Sequence, residues 1–441
     1  MKFKKVLLII FISMMLLLSA CSNKSALAKL NCLREPADIS YRTNVSAYTK
    51  DDYAEFKNKM KIFSSKLSES LLKQEYKENK NFACSPLSIE YALGLAVSAA
   101  NNETRDEILR AFDIDFETFN EYYKAYFTSI LMERKDGSEK PYSKITSTNS
   151  IWIDNDIKLK DSGLDNLQND YYCYSYEADF NNNNKTSNKA IRQFVKEKTN
   201  NLIDQDFDIS EDTFFLLMNT LYLKDIWNDM GRDLKYASEE YKFKNLNGNI
   251  SNKSLLEGYY SSGKAMTTET YSAFHTYTLS NICLHFIKPN DGVNINNLFN
   301  ASVIKNVATA SNYITKDDEK FEAYRTKCIF PEFKAEADLD LKDTLMKDFN
   351  IKNLFDINNC DFSNLSDNKV YCNNIRHVTK LDVNKKGIEA AAITMLGLNG
   401  AAGPAGKYTN VYETFVVDKE YIFVLTYGDT IIFSGVVTNI D

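Results

Sequence analysis

Apolar residues recur along the chain in three rhythms. Phe56, Met60, Phe63, Leu67 and Leu71 are spaced four, three, four and four apart, which lines one stripe of an amphipathic helix packed on a core. Residues 91–100, Y-A-L-G-L-A-V-S-A-A, are apolar on every side, as in a buried helix, with Pro86 suited to its first turn and Ser85 to its N-cap. Asn101-Asn102-Glu103-Thr104 breaks that run, and Thr104 with Glu107 forms a capping box for a further helix through Phe112. The asparagine tract 181–184 reads as a loop, and a helical pattern resumes over 191–203. Residues 214–223, F-F-L-L-M-N-T-L-Y-L, are too apolar on both faces for an edge strand and predict a central strand. The last third alternates strand-like runs with turns, at 326–333, 371–383, 415–417, 421–426 and 430–437. No internal repeat and no Gly/Pro-rich linker before residue 395 divides the chain, so one large α+β domain is expected, helices early and sheet late.

Outside this pattern lies the N-terminus, M-K-F-K-K followed by an apolar run over 6–18 and small residues at Ser19 and Ala20, which is export-signal chemistry. The run is short for a membrane-spanning helix, which needs about 20 apolar residues. Leu18-Ser19-Ala20-Cys21 resembles the lipobox of bacterial lipoproteins, whose cysteine carries a diacylglyceryl group and becomes the first mature residue. The expected organisation is a signal peptide over 1–20, a lipid anchor at Cys21 with a polar tether over 21–50, and a domain over 51–441. An ordinary cleaved signal or an uncleaved anchor is the alternative. The resemblance implies export and lipid anchorage to a bacterial cell envelope or cell surface.

Charge and cysteine content narrow the chemistry. The net charge is −7, and without Lys2, Lys4 and Lys5 it becomes −10, which argues against nucleic acid as a partner. Seven cysteines follow Cys21 without any C-x-x-C pair, and only His275, His285 and His377 could add imidazole ligands. Their spacing gives a zinc site little support and reads as small buried hydrophobes, so no metal and no cofactor is expected. There is no G-x-S-x-G, H-E-x-x-H, G-x-x-x-x-G-K-[ST] or G-x-G-x-x-G, and no catalytic residue is favoured.

A series of segments, in order, resembles the serpin family of protease inhibitors. N-F-A-C-S-P-L-S-I is similar to N-x-x-x-S-P-x-S-I, I-R-Q-F-V-K-E-K-T-N-N-L-I to I-N-x-W-V-x-x-x-T-x-x-x-I, and M-N-T-L-Y-L-K-D-I-W to N-x-x-x-F-K-G-x-W. F-P-E-F-K-A-E-A-D-L-D-L-K-D-T-L, F-V-V-D-K-E-Y-I-F-V-L and I-I-F-S-G-V-V-T-N match later family segments, so the likeness runs from about residue 51 to the end. It implies helices packed on a large central mixed sheet, further sheets, and an exposed reactive-centre loop over about 385–414. It also implies a monomer that traps a serine or cysteine protease rather than an enzyme. The target cleaves the loop, is held as an acyl-enzyme, and is carried along as the hinge inserts into the main sheet. A serpin fold used only as a surface binding protein is the alternative.

Residues 383–394, V-N-K-K-G-I-E-A-A-A-I-T, are similar to the family hinge V-N-E-x-G-T-E-A-A-A-A-T. About 14 inserted residues make a strand of about 45 Å, and each new backbone hydrogen bond contributes about 0.5–1.5 kcal/mol. Every second side chain then enters the core and must be small or apolar. Taking Ile388 as the first, the inward set is Ile388, Ala390, Ala392, Thr394, Leu396 and Leu398, while Glu389, Ala391 and Ile393 face outward. Read without the family, 389–396 is an alanine-rich helix. Lys385 stands where the family carries Glu and Ile388 where it carries Thr or Ser.

Counting fourteen residues from Gly387 places the scissile bond at Ala401–Ala402, suited to an elastase- or subtilisin-like pocket. Counting back twelve from Tyr421 reaches Thr409, and within the window Lys407–Tyr408 would suit a trypsin-like pocket. The resemblance further implies a buried polar shutter of Ser85, Ser88, Asn219 and His377, and assigns Trp227 to the sheet top where the loop enters.

Overall fold

The computed structural model describes residues 25–39 and 51–441, apart from 78, 136, 138–139, 229–232, 310–311, 374 and 390–407. The expected signal segment, Cys21 and both ends of the 21–50 tether lie outside the described residues. The middle of that tether is structured. Asn31–Arg34 add an edge strand to the large sheet, where the Arg34 guanidinium donates to Asp161 at 2.7 Å and Asp165 at 2.8 Å.

The helices are α1 (Asp51–Glu75), α2 (Pro86–Ala99), α3 (Asn102–Phe112), α4 (Phe116–Ser129), α5 (Asp161–Tyr171), α6 (Phe180–Lys198), α7 (Ala301–Val307) and α8 (Lys342–Asp348). The stripe Phe56, Met60, Phe63, Leu67 and Leu71 of α1 is buried, as its periodicity predicts. Ser85 caps α2 by accepting from the Ser88 N–H, with Pro86 in the first turn, and the whole of α2 is buried. That burial takes Glu90 with it. Its carboxyl accepts from Ser64 Oγ of α1 at 2.5 Å and from Tyr126 Oη of α4 at 2.7 Å, so one acid ties three helices.

Two local expectations are corrected. The cap of α3 is Asn101, whose Oδ1 accepts from the Asn102 N–H, rather than Thr104. Thr104 and Glu107 serve tertiary contacts instead: Thr104 Oγ1 accepts from Asp361 N, and the Glu107 carboxylate accepts from the N–H groups of Lys352 and Asn353. The tract 181–184 is helical, not a loop. Asp179 caps α6 through the Asn182 N–H, the helix kinks at Asn183, and Asn184 and Asn188 donate to the Ile209 carbonyl.

The strands that matter below are β1 (Phe82–Cys84), β2 (Ser143–Asp154), β3 (Cys173–Ala178), β4 (Phe215–Ile226), β5 (Leu256–Ser262), β6 (Tyr271–Tyr277) and β7 (Ile282–Pro289). They continue with β8 (Glu322–Phe330), β9 (Phe333–Asp340), β10 (Arg376–Asn384), β11 (Gly387–Ile388), β12 (Thr409–Val416), β13 (Tyr421–Tyr427) and β14 (Thr430–Val437). The large sheet runs β3-β2-β4-β11-β10-β9-β1-β14-β13-β7-β6, and a smaller sheet pairs β8 with β5 and, in parallel, with β12. Strands β1, β2 and β3 come from the first half of the chain, so the sheet is not confined to the end. Residues 326–333 split at Pro331 between β8 and β9, because proline cannot donate to a ladder.

Strand β4 is central and covered on both faces, as its unbroken apolar run predicts. Leu217 and Leu223 join the main core, while Leu216 and Met218 pack in a second cluster with Trp152 and with Phe194 of α6. Five of the seven described cysteines are buried.

Burial pushes the Glu90 carboxyl up to about 8. The folded protein keeps a proton that the unfolded chain releases near pH 4.5, so this stability is lost as pH rises through 8. Chemical denaturation from pH 5 to 8.5 should show a decline that Glu90→Gln flattens, since the amide has no proton to lose. An unchanged slope would place the proton elsewhere.

Candidate shutter, hinge and loop anchors

The site is a slot in the large sheet. Among the described residues no backbone pair joins β4 directly to β10. Their C-terminal ends are bridged by β11, where Gly387 pairs with Asn384 and Ile226, and Ile388 with Val383 and Asp225.

The N-terminus of α2 grips both sides of this slot. On the β10 side the Ser85 N–H donates to His377 Nε2 at 3.0 Å, and Thr379 Oγ1 donates to the Ala83 carbonyl at 2.5 Å. On the β4 side Ser88 Oγ donates to the Asn219 carbonyl at 3.3 Å. Ser85 Oγ also donates to the Ile432 carbonyl at 2.7 Å, fixing the cap to β14. The structure thus brings Ser85, Ser88, Asn219 and His377 together, with Asn219 joined through its backbone. Its side chain turns to β2, donating to Ser147 Oγ at 2.7 Å and to Asn149 Oδ1 at 2.9 Å. Asn149 in turn donates to Tyr123 Oη and to the Tyr171 carbonyl.

Burial lowers the pKa of His377 to about 4, so its ring is neutral at physiological pH. Because Nε2 accepts from Ser85, the ring proton sits on Nδ1. Protonation of Nε2 would set two donors against each other and break the grip.

At the sheet top, Trp227 is fully buried, edge-on to Phe330 at 5.4 Å, and its Nε1 donates to the Asn384 carbonyl at 2.7 Å. It therefore packs the core and holds the turn that enters β11. Lys385 does not leave this turn loose. Its N–H donates to Glu332 at 2.7 Å, its carbonyl accepts from Leu234 N at 2.7 Å, and its ammonium lies 3.8 Å from Asp233. That ion pair is half-exposed and contributes under about 1 kcal/mol.

Gly387 is required here. A Cβ would stand 2.1 Å from the Asp225 carbonyl oxygen, closer than any real side chain approaches. Ile388 follows, fully buried in the main core. Glu389 turns to the other face with φ of 47° and its N–H donates to the Asp382 carbonyl at 2.6 Å. It does not face open solvent. Burial pushes its carboxyl up to about 7 beside the Tyr222 hydroxyl and Lys224 of β4, and burial also lowers the Lys224 ammonium.

Ala390, Ala391, Ala392 and Thr394 of the hinge lie outside the described residues, as do Ala401, Ala402 and Lys407. The chain is described again at Tyr408, whose hydroxyl bonds Asp318 beneath the Lys316 ammonium. Thr409 N–H donates to the Phe321 carbonyl and β12 then pairs with β8 from Thr409↔Glu322 to Val416↔Ile329. Ser147, Asn149, Thr379 and the Tyr222–Lys224–Glu389 group escape sequence reasoning. Asn149 stands directly opposite Asn219, but strand register is needed to see it.

The family model described as Serpin (serine protease inhibitor) matches residues 58–440. Human neuroserpin is 25% identical over 81% of this chain and 86% of its own. A protein named serine protease inhibitor from Cyanea capillata is 25% identical over 82% and 92% respectively. The crystal structure of the thermophilic serpin tengpin in its native state superposes with a TM-score of 0.72 at 21% identity, covering 93% of this chain and all of that one. With its slot, hinge and ordered motifs inside that match, the chain belongs to the serpin family.

Proposed function

We propose that this protein is an extracytoplasmic, lipid-anchored suicide inhibitor of serine proteases. The observation that carries the reading is β11: the first two hinge residues already lie between β4 and β10, at the mouth of a slot that no backbone pair closes among the described residues. The protease serine attacks the carbonyl carbon of the bait bond, the peptide C–N bond breaks, the amine leaves with a proton, and an ester joins inhibitor to enzyme. The freed hinge then extends β11 down the slot and carries the protease with it. In this reading the native state forgoes the hydrogen bonds of the inserted strand, so its stability is kinetic.

Ala401–Ala402 is the bond supported by loop length and by the anchor. A protease must hold several residues on each side of its bond in extended form, and at Lys407–Tyr408 those on the C-terminal side are already paired in β12. An elastase- or subtilisin-like enzyme should therefore give a covalent complex that survives SDS, with a C-terminal fragment beginning at Ala402 after denaturation. Free turnover without a complex would instead support a serpin-fold surface binding protein, and a fragment beginning at Tyr408 would support trypsin-like targets. Export through Cys21 is tested separately: diacylglyceryl labelling in the native host should disappear in Cys21→Ala.

The shutter supplies a pH prediction. The folded pKa of His377, about 4, lies below its unfolded value near 6.5, so its contribution to stability is full above 6.5 and lost as pH falls toward 4. His377→Gln should keep the acceptor and weaken this acid dependence. His377→Ala leaves the Ser85 N–H buried and unpaired, costing about 1–3 kcal/mol. Its inhibitory activity should decay faster at 37 °C as the loop inserts without cleavage, and an unchanged half-life would count against the clasp.

A further inference from the structure

The β6–β7 hairpin buries a second cluster of chemistry. His275 of β6 stands directly opposite His285 of β7, and Cys283 lies two residues before His285 on the same face. One ligand atom from each lies within 4.8 Å of the others, and Cys283 Sγ is 3.9 Å from His285 Nδ1. Around a trigonal three-coordinate cation, bond lengths of about 2.0–2.3 Å put such atoms about 3.5–4.0 Å apart, so a small contraction would close the site.

Two further observations point to a ligand. His275 is 2% exposed and neither of its ring nitrogens has a hydrogen-bond partner, which is costly for a buried polar ring. The ring is aimed at this cluster, 5.6 Å from the His285 ring between centroids. His285 is already oriented as a ligand would be: Nε2 is 3.2 Å from Thr426 Oγ1, leaving Nδ1 toward Cys283 and Tyr313 Oη.

We propose that His275, Cys283 and His285 form a buried three-coordinate site for one soft monovalent cation, copper(I). Thiolate and imidazole are soft-to-borderline donors that suit this ion. Charge selects it over a divalent one. On binding, Cys283 gives up its thiol proton to solvent and the S–Cu bond forms, so one thiolate neutralises one positive charge. Zinc(II) would leave a net positive charge where every ligand is at most 4% exposed and no carboxylate is among the ligands. Spacing along the chain gives these three residues no metal-site pattern, and the hairpin register supplies what that spacing lacks.

The test uses full-length protein refolded anaerobically with tetrakis(acetonitrile)copper(I), then challenged with bathocuproine disulfonate. One copper per chain should be retained, with a thiolate-to-copper absorption band in the ultraviolet and a raised melting temperature. Cys283→Ser should bind at least about a hundredfold more weakly without the band, and His275→Gln should weaken binding while circular dichroism stays native. The proposal is overturned if folded wild-type protein yields all its copper to the chelator, or if Cys283→Ser retains it equally. A parallel zinc(II) titration that saturates the site more tightly than copper(I) would overturn the choice of cation.

Discussion

The rest of the molecule depends on a gap held closed by few bonds. Strands β4 and β10 share no direct backbone pair among the described residues, and both are fastened to the N-terminus of α2 through Ser88 and through Ser85 with His377. A sheet interrupted in this way would gain hydrogen bonds from one more strand. What spans the gap is a helix cap, whose geometry rests on the complete burial of α2 behind it. The core therefore does two jobs: it stabilises the fold and keeps the grip in register.

Two residues of the hinge segment are seated between β4 and β10, and the third leaves the strand. Gly387 permits the backbone to pass where a Cβ would strike Asp225, and Ile388 buries fully, so β11 is seated. Glu389 then leaves the strand with a left-handed φ, its carboxyl half-buried beside Tyr222 and Lys224. Further pairing requires the Glu389 backbone to return to the extended region. The departures from the family pattern are absorbed locally, since Lys385 is held by its backbone to Glu332 and Leu234.

Much of this was legible in the sequence wherever one face or one run decides an element. The α1 stripe, the all-round apolar α2 and the doubly covered β4 are of that kind. The failures share a cause: side chains that look like local signals are engaged at long range. Thr104 resembles a cap but binds the 361 backbone, and the asparagines of α6 are satisfied by the Ile209 carbonyl instead of ending the helix. The shutter residues could be named by resemblance, yet Asn149 and Ser147 depend on strand register, and the half-buried charge of Glu389 depends on a neighbour that sequence distance hides.

The placement of β13 and β14 has a consequence for what a cut in the loop produces. The described residues that follow the loop belong to the folded body: β12 is zipped to β8, and β13 and β14 sit inside the large sheet between β7 and β1. Severing the loop therefore divides the polypeptide without dividing the particle. The nicked molecule is a heterodimer of unequal pieces, the strands of the smaller inserted among those of the larger. Its smaller piece is retained by backbone pairing on both flanks and has no surface of its own by which to leave.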